Sequence, residues 1–138
     1  MKQITDLINV QTKGPSLIDI TSQLNNWIAL NYCNQGILNI FLLHTSASLL
    51  IQENADPLVL EDLTNFFSRL VPISNKYKHQ SEGDDDMPAH IKSSITNTDL
   101  SLSIKEGILA LGTWQAIYLF EHRTENHNRK INLHFMGS

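Results

Sequence analysis

The sequence predicts a single α+β domain, and three observations support this. The chain has 138 residues, a length that suits one domain with its own core. Two segments, from about residue 22 and from residue 57, repeat apolar residues at helical spacing, whereas most of the remainder shows the apolar runs and alternation typical of strands. No repeat, linker or low-complexity segment divides the chain. We therefore expect one domain over residues 1–138.

The first elements are predicted to be two strands and a helix. The pattern IxxLIxV within residues 2–11 favours a strand, which Gly14-Pro15 ends. Residues 16–21 alternate in polarity and favour a second strand, paired with the first as a hairpin. A helix follows, because Thr21 or Ser22 can accept hydrogen bonds from its first turn and Gly36 can end it.

The middle of the chain predicts a buried strand and a second helix. Residues 37–45 are apolar at both alternating sets of positions, so we expect a central strand covered on both faces. Asp56-Pro57 marks a helix start, because an acid can cap the helix and a proline at the first position loses no hydrogen bond. The apolar stripe of this helix is predicted at Val59, Leu63, Phe66 and Leu70.

The last part of the chain predicts a polar loop, a short helix and three strands. Residues 76–86 form the loop, which we expect to be mobile, and MPAHIKSSI favours the helix, with Pro88 in its first turn. The strands are expected at residues 100–104, 108–123 and 129–135.

Composition narrows the class of protein. Ten basic and fourteen acidic residues give a net charge of −4, which argues against a nucleic-acid or anionic-membrane binder. The single cysteine, Cys33, excludes an intrachain disulfide framework and a cysteine-based zinc site. No apolar run has the length of a membrane span, and the N-terminal segment lacks the apolar region of a signal peptide. We therefore expect a cytoplasmic protein.

Three of the six histidines stand where they could bind a metal. His44 ends the predicted central strand, His90 lies on the short helix and His122 lies near the end of the long strand. Three imidazoles around an open position describe a catalytic metal site. The alternative is that they are hydrogen-bonded core or rim residues, because their wide separation gives no local ligand spacing. The other three are expected to face solvent or a partner: His79, His127 and His134.

Other polar residues have a functional and a structural interpretation. Asp84-Asp85-Asp86 could bind a hard cation such as magnesium, or could be a solvated charge run. Thr45, Ser46 and Ser48 could donate to an anion beside Arg123, or could satisfy backbone groups in a turn. Gly112 interrupts a strand, which is typical of a bulge or of close approach by a ligand.

Three long motifs carry a family resemblance. HTSASLLIQENADP, then DDMPAHIKSSI, then GILALGTWQAIYLFEHR stand in the order seen in the YjbQ family, described as secondary thiamine-phosphate synthases. The resemblance covers nearly the whole chain. It implies a compact α+β fold with a mixed, largely antiparallel sheet, and assembly as a homotrimer.

The resemblance also implies a cleft lined by residues of these motifs. His44, His90 and His122 would form its metal cluster, and the catalytic set would be His44, Asp85, Asp86 and Arg123. The surrounding substrate-binding residues would be Thr45, Ser46, Ser48, Asn54, Asp56, Thr113, Trp114 and Gln115. A divalent metal ion is implied, and it is zinc if the imidazoles dominate or magnesium if carboxylates and pyrophosphate do.

Three functions stay open at this point. The first is a metal-dependent enzyme with weak thiamine-phosphate synthase activity, which joins a pyrimidine pyrophosphate to a thiazole phosphate and releases pyrophosphate. The second is a metal-dependent hydrolase of a small phosphorylated metabolite. The third is a non-catalytic protein that binds a metal or metabolite. The expected partners are a small phosphorylated substrate and further copies of the chain, with no nucleic acid and no membrane.

Overall fold

Eight strands and three helices form the molecule. The structure is a computed structural model and describes residues 1–138. The strands are β1 (Lys2–Lys13), β2 (Ser16–Asp19), β3 (Gly36–Leu42), β4 (Ala47–Glu53), β5 (Asp99–Lys105), β6 (Ile108–Leu109), β7 (Gln115–Glu121) and β8 (Asn126–Gly137), and the helices are α1 (Thr21–Leu30), α2 (Pro57–Leu70) and α3 (Asp86–Ser94). The predicted α+β class is confirmed.

The strands form two sheets. One has five strands in the order β1-β8-β3-β5-β6, and the other has three in the order β2-β7-β4. Every pairing between these strands is antiparallel. Strand β7 is the middle strand of the smaller sheet and is buried from Ala116 to Glu121, so both of its faces are covered.

The core lies between the two sheets. In the larger sheet, residues paired across β1, β8 and β3 share a face, so alternate positions point inward. Leu38, Ile131 and Phe135 are on the inner face and have no exposed surface. Helix α1 adds Leu24 and Ile28 to the same core. The core fixes the ends of β3, β4 and β7, from which the functional residues extend.

The predicted hairpin between the first two strands is wrong. Strand β1 pairs with β8, and β2 pairs with β7 in the other sheet. The chain turns at Gly14, whose φ of 93° is in the left-handed region that glycine tolerates. Both strands alternate in polarity as predicted, but alternation reports burial of one face and does not name the partner strand.

The predicted cover on both faces of the third strand is not found within one chain. Strand β3 is central in its sheet, yet its outer-face residues Ile37 and Phe41 are 55% and 42% exposed. The predicted long strand at residues 108–123 is also divided, because β6 ends at Leu109 and β7 begins at Gln115. A strand over residues 47–53, β4, was not predicted as a separate element.

The predicted start of α2 is confirmed, but the predicted caps of α1 are wrong. The N-cap of α1 is Ile20, with no side-chain cap, and the hydroxyl of Thr21 accepts from the amide of Ile117. The helix ends at Leu30, and Gly36 begins β3.

Asp56 caps α2 by accepting a hydrogen bond from the amide of Leu58 at 2.9 Å. The predicted apolar stripe of α2 is partly wrong, because Phe66 and Leu70 are 49% and 53% exposed, whereas Phe67 packs on Phe120 with ring centroids 5.4 Å apart. None of the three helices is long and apolar enough to cross a membrane.

Candidate functional site

A buried ion pair organises one end of the smaller sheet. Glu121, at the end of β7, is fully buried, and Arg129 of β8 is 2% exposed. The carboxylate of Glu121 accepts from Arg129 Nε at 2.7 Å, from the Thr12 hydroxyl at 2.6 Å and from the amides of His122 and Arg123. Burial alone would raise the pKa of Glu121, but these donors and the charge of Arg129 hold it below its usual value.

Arg123 fixes two acidic residues at the start of α3. Its Nε donates to Asp85 at 2.9 Å, a terminal nitrogen lies 2.8 Å from Asp86, and the other donates to the carbonyl of Glu82 at 2.9 Å. Thr124 also donates to Asp85 through its amide and its hydroxyl. The guanidinium is thus occupied by the protein, so Arg123 positions carboxylates and is not free to bind a substrate anion.

The interpretation of the acidic run as a solvated charge run is wrong for two of its three residues. Asp85 is 7% exposed and Asp86 is 3% exposed, whereas Asp84 is exposed. Burial would raise the pKa of Asp86, but hydrogen bonds from His79 and His90 and the charge of Arg123 lower it. Both buried acids are therefore ionised near neutral pH and belong to the packed structure.

Asp86 lies between two histidines. Its Oδ2 is 2.7 Å from Nε2 of His79 and 3.1 Å from Nε2 of His90. One ligand atom from each of the three residues lies within 4.8 Å of the others, and the side chains of His79 and His90 are 41% and 33% exposed. The group, which we call the His79–Asp86–His90 cluster, is accessible from solvent on one side.

The hydrogen bonding of His90 suits a metal ligand. Its Nδ1 is 2.9 Å from the carbonyl oxygen of Thr45, and a carbonyl can only accept, so Nδ1 carries the hydrogen. Nε2 lies 3.1 Å from Oδ2 of Asp86, a hydrogen-bond distance, and the hydrogen shared there is the one that a divalent cation would replace. A histidine that donates one ring nitrogen to a carbonyl while the other faces the metal is the usual arrangement at metal sites.

His44 has a different environment. Its Nε2 accepts from the amide of Lys130 at 2.8 Å, so that nitrogen is not available to a metal. Burial and the nearby charge of Arg129 lower the pKa of His44, which favours the neutral ring with its hydrogen on Nδ1. His44 and Thr45 line an open cavity of about 460 Å³ on the outer side of the larger sheet.

His122 has a third environment. It is 3% exposed, its Nε2 is 2.9 Å from the hydroxyl of Ser48, and its Nδ1 has no partner. Burial, with a contribution from the charge of Lys92, lowers its pKa from 6.5 to about 3. The three predicted metal ligands thus have separate hydrogen-bond partners, and the group of three potential ligands that the chain brings together is His79, Asp86 and His90.

The hydroxyls after the third strand are also divided in role. Thr45 is exposed and lines the cavity beside His44. Ser46 is 8% exposed and its carbonyl accepts from Arg129. Ser48 is fully buried against His122. Of the three, Thr45 and Ser46 line the cavity, and Thr45 is the exposed one.

The remaining predicted substrate residues lie at the other end of the smaller sheet. Strand β7 spans seven residues between Gln115 and Glu121, a length of about 20 Å. Trp114 is 61% exposed, and Gln115 accepts from the amide of Gly112 at 2.7 Å. The residues at this far end are Asn54, Asp56, Thr113, Trp114 and Gln115. They do not surround the histidines of the same chain, because pairing of β4 with β7 places them one strand length away.

His79 and Lys92 were not predicted to be functional. His79 stands in a polar segment with no periodic pattern, so its approach to Asp86 depends on how the loop folds. One signal was available, because Asp86 and His90 are four residues apart and therefore share a face of helix α3. Two potential ligands at this spacing form a local pair, although the sequence around them does not match a pattern such as HExxH.

The fold and the site together define an α+β protein with two packed antiparallel sheets. Its histidine–carboxylate cluster lies at helix α3. The family described as UPF0047 protein YjbQ-like matches residues 6–138. The chain belongs to this family.

Relatives and solved structures agree with that assignment. The UPF0047 protein sll1880 of Synechocystis sp. is 44% identical over 137 residues, which are 99% of this chain and 93% of that protein. The UPF0047 protein YjbQ of Escherichia coli O157:H7 is 43% identical and covers 94% of this chain and 93% of its own. A crystal structure of a YjbQ/UPF0047 protein from Clostridium acetobutylicum superposes with a TM-score of 0.85 at 32% identity, covering 95% and 99% of the two chains. The predicted family resemblance is confirmed.

Proposed function

We propose that this protein is a metal-dependent enzyme acting on a small phosphorylated substrate, with weak thiamine-phosphate synthase activity. The divalent ion is held by His79, Asp86 and His90. This assignment replaces two of the three histidines expected from the sequence and keeps His90. The same proposal places the protein in the cytoplasm and in a homotrimer.

The observation that carries the proposal is the His79–Asp86–His90 cluster. Two imidazole nitrogens face one carboxylate oxygen at 2.7 Å and 3.1 Å, and solvent reaches the cluster from one side. Two nitrogen ligands, one carboxylate and an open position are the donor set of a catalytic zinc site. Magnesium is a poorer fit, because it prefers oxygen ligands.

A substrate can bind beside the cluster. The carbonyl of Thr45 accepts from His90, and the same residue lines the cavity of about 460 Å³, a size that suits a small ligand. The Nδ1 of His44 offers a hydrogen-bond donor there, since Nε2 is occupied by Lys130. Phe41 and Leu43 add an apolar wall suited to a heteroaromatic ring.

The proposed reaction develops negative charge on the leaving pyrophosphate, and the site can stabilise that charge. The ring nitrogen of the thiazole phosphate bonds to the methylene carbon of the pyrimidine substrate that carries pyrophosphate, the carbon–oxygen bond breaks, pyrophosphate leaves with its electron pair and the thiazole becomes a thiazolium. A divalent cation would supply positive charge for the leaving oxygens. Arg123 holds Asp86 in place for that cation, and His44 donates to the bound substrate from the cavity wall.

A turnover assay with both precursors tests the proposal. Purified protein loaded with zinc should release pyrophosphate only when pyrimidine pyrophosphate and thiazole phosphate are both present. We expect the rate to fall at least about 100-fold in His90→Ala, since loss of a ligand removes the metal. His134→Ala is the matched control, because His134 is half-buried on β8, away from the cluster, and its ring bonds only Gln3.

The other two functions give different results in the same assay. Phosphate or pyrophosphate released from one substrate alone identifies the hydrolase. Stable zinc binding with no turnover of either kind identifies the non-catalytic binding protein. Either outcome would overturn the synthase assignment.

A further inference from the structure

A second, smaller cavity lies on the opposite side of helix α3 from the His79–Asp86–His90 cluster. It measures about 210 Å³ and is bounded by the β1–β2 turn, the C-terminal end of α2, one face of α3 and the end of β7. Asp86 and His90 are four residues apart on one face of α3. Pro88 and Lys92, also four apart, lie about half a turn away around the helix and line this cavity. The helix thus separates the two sites.

Lys92 brings an uncompensated positive charge to this cavity. It is 8% exposed, and its ammonium makes no ion pair, although the other buried charges of the chain are paired. No hydrogen bond from this group to a protein acceptor is present either, and Lys92 lines the cavity. Its side chain is mostly buried while its ammonium keeps accessible surface, so a ligand in the cavity that supplies an acceptor would be bound favourably.

His122 lines the same cavity and has a buried ring nitrogen without a partner. Its Nε2 is occupied by Ser48 at 2.9 Å, whereas its Nδ1 is buried and has no hydrogen-bond partner. Buried polar atoms are nearly always paired with protein or a bound molecule. With the hydroxyl of Ser48 as donor, Nδ1 carries a hydrogen and can donate to a ligand oxygen.

Asp85 is the one acid on the cavity wall, and its Oδ2 is already engaged. It accepts from Arg123 and twice from Thr124. The polar groups of the wall that lack a protein partner are therefore the hydrogen-bond donors of Lys92 and His122. The volume exceeds the roughly 30 Å³ that one water molecule takes up in the liquid, so there is room for a small ion.

We propose that this cavity is a binding site for a small phosphate-type oxyanion, with the Lys92 ammonium and the His122 Nδ1–H as its donors. The site is separate from the proposed metal cluster and does not depend on it. Free inorganic phosphate and the phosphate group of a small monoester share the required chemistry.

Binding of inorganic phosphate to metal-free protein tests this proposal. After dialysis against a chelator, calorimetry should show one phosphate site per chain, and Lys92→Met should weaken it about 10- to 100-fold, the effect of losing a charged hydrogen bond. Lys105→Met is the matched control, because Lys105 is exposed, and it should bind phosphate like the parent. Glycerol phosphate in place of phosphate shows whether a monoester can also enter.

A spectroscopic measurement locates the site without a substitution. In protein carrying ¹⁵N-histidine, phosphate should shift the Nδ1 resonance of His122 and leave that of His134 unchanged. Equal phosphate affinity in Lys92→Met and parent, or no change at His122 Nδ1 at saturating phosphate, would overturn the proposal. Because metal is absent throughout, failure here is distinguishable from failure of the proposed metal-dependent activity.

Discussion

At the scale of single residues, the functional end of the molecule depends on buried groups that hold one another in place. Glu121 and Arg129 are almost completely buried. The carboxylate of Glu121 accepts hydrogen bonds from Arg129, from Thr12 and from two backbone amides. Their role is to fix the backbone from which His122 and Arg123 extend. Disturbing either partner should therefore affect the whole site.

Arg129→Met is expected to destabilise the fold by about 3–5 kcal/mol, because the Glu121 charge would remain buried without its partner. The double variant Glu121→Gln/Arg129→Met should cost less, since it leaves no buried charge. Urea denaturation measures both. A loss below about 1 kcal/mol in the single variant would show that the pair does not stabilise this end of the molecule.

His122 predicts a dependence of stability on pH. Its folded pKa is about 3, whereas the ordinary value is 6.5, so the unfolded chain binds one more proton between these limits. Stability should therefore fall as the pH drops from 6.5 toward 3, by up to about 1.4 kcal/mol per unit from this group. His122→Gln should show a shallower fall in urea titrations over this window. Identical slopes in parent and variant would mean that His122 is protonated in the folded protein.

The sequence predicted site residues where the interacting groups are close together in the chain. Asp86 and His90 were identified because they lie at a helix start beside an acidic run. His79 was missed, because its contact with Asp86 is made by the folding of an irregular segment. His44 was assigned to a metal because it ends a buried strand, and the amide of Lys130 that occupies its Nε2 comes from 86 residues away.

At the scale of elements, the Asp56-Pro57 start signal was confirmed, whereas the predicted caps of α1 at Thr21 or Ser22 and at Gly36 and the predicted strand pairing were wrong. The start of α2 follows from Asp56-Pro57, where side-chain and backbone chemistry act within three residues. The pairing of β1 with β8 and of β2 with β7 joins segments about a hundred residues apart. Alternating polarity cannot identify such a partner, since every strand with one buried face shows it.

Asp56 is expected to act through helix α2 and not through a bound substrate. Asp56→Ala should cost about 1 kcal/mol in thermal or urea unfolding, because the amide of Leu58 loses its acceptor. Asp56→Asn should retain most of the stability, since asparagine also caps. Asp62→Ala is the control for charge, being an exposed acid within the same helix. If Asp62→Ala destabilises the protein as much as Asp56→Ala, capping is not the cause.

At the scale of the whole molecule, the outer face of the larger sheet suggests an interface. Ile37, Phe41 and Met136 are between 42% and 55% exposed, and their register places them on one side of β3 and β8. Leu43 and the cavity that contains His44 adjoin them. Apolar residues on an otherwise polar sheet face are typical of a surface covered by a partner.

We expect this face to be covered in the proposed homotrimer. Sedimentation should give three chains per particle at micromolar concentration, and Phe41→Asp should shift the protein toward the monomer because a charge would be buried in the interface. Leu30→Asp is the matched control, since Leu30 is 78% exposed on α1. A parent protein that sediments as a monomer would contradict the assembly.

The most direct test of the account is the stoichiometry and location of bound zinc. Calorimetry on chelator-treated protein should show one zinc site per chain, with affinity reduced at least about 100-fold in His79→Ala and in His90→Ala. His44→Ala and His122→Ala should bind zinc like the parent, because their rings are held by Lys130 and Ser48. Unchanged affinity in His79→Ala, together with its loss in His44→Ala and His122→Ala, would contradict the His79–Asp86–His90 cluster and restore the three-histidine site expected from the sequence.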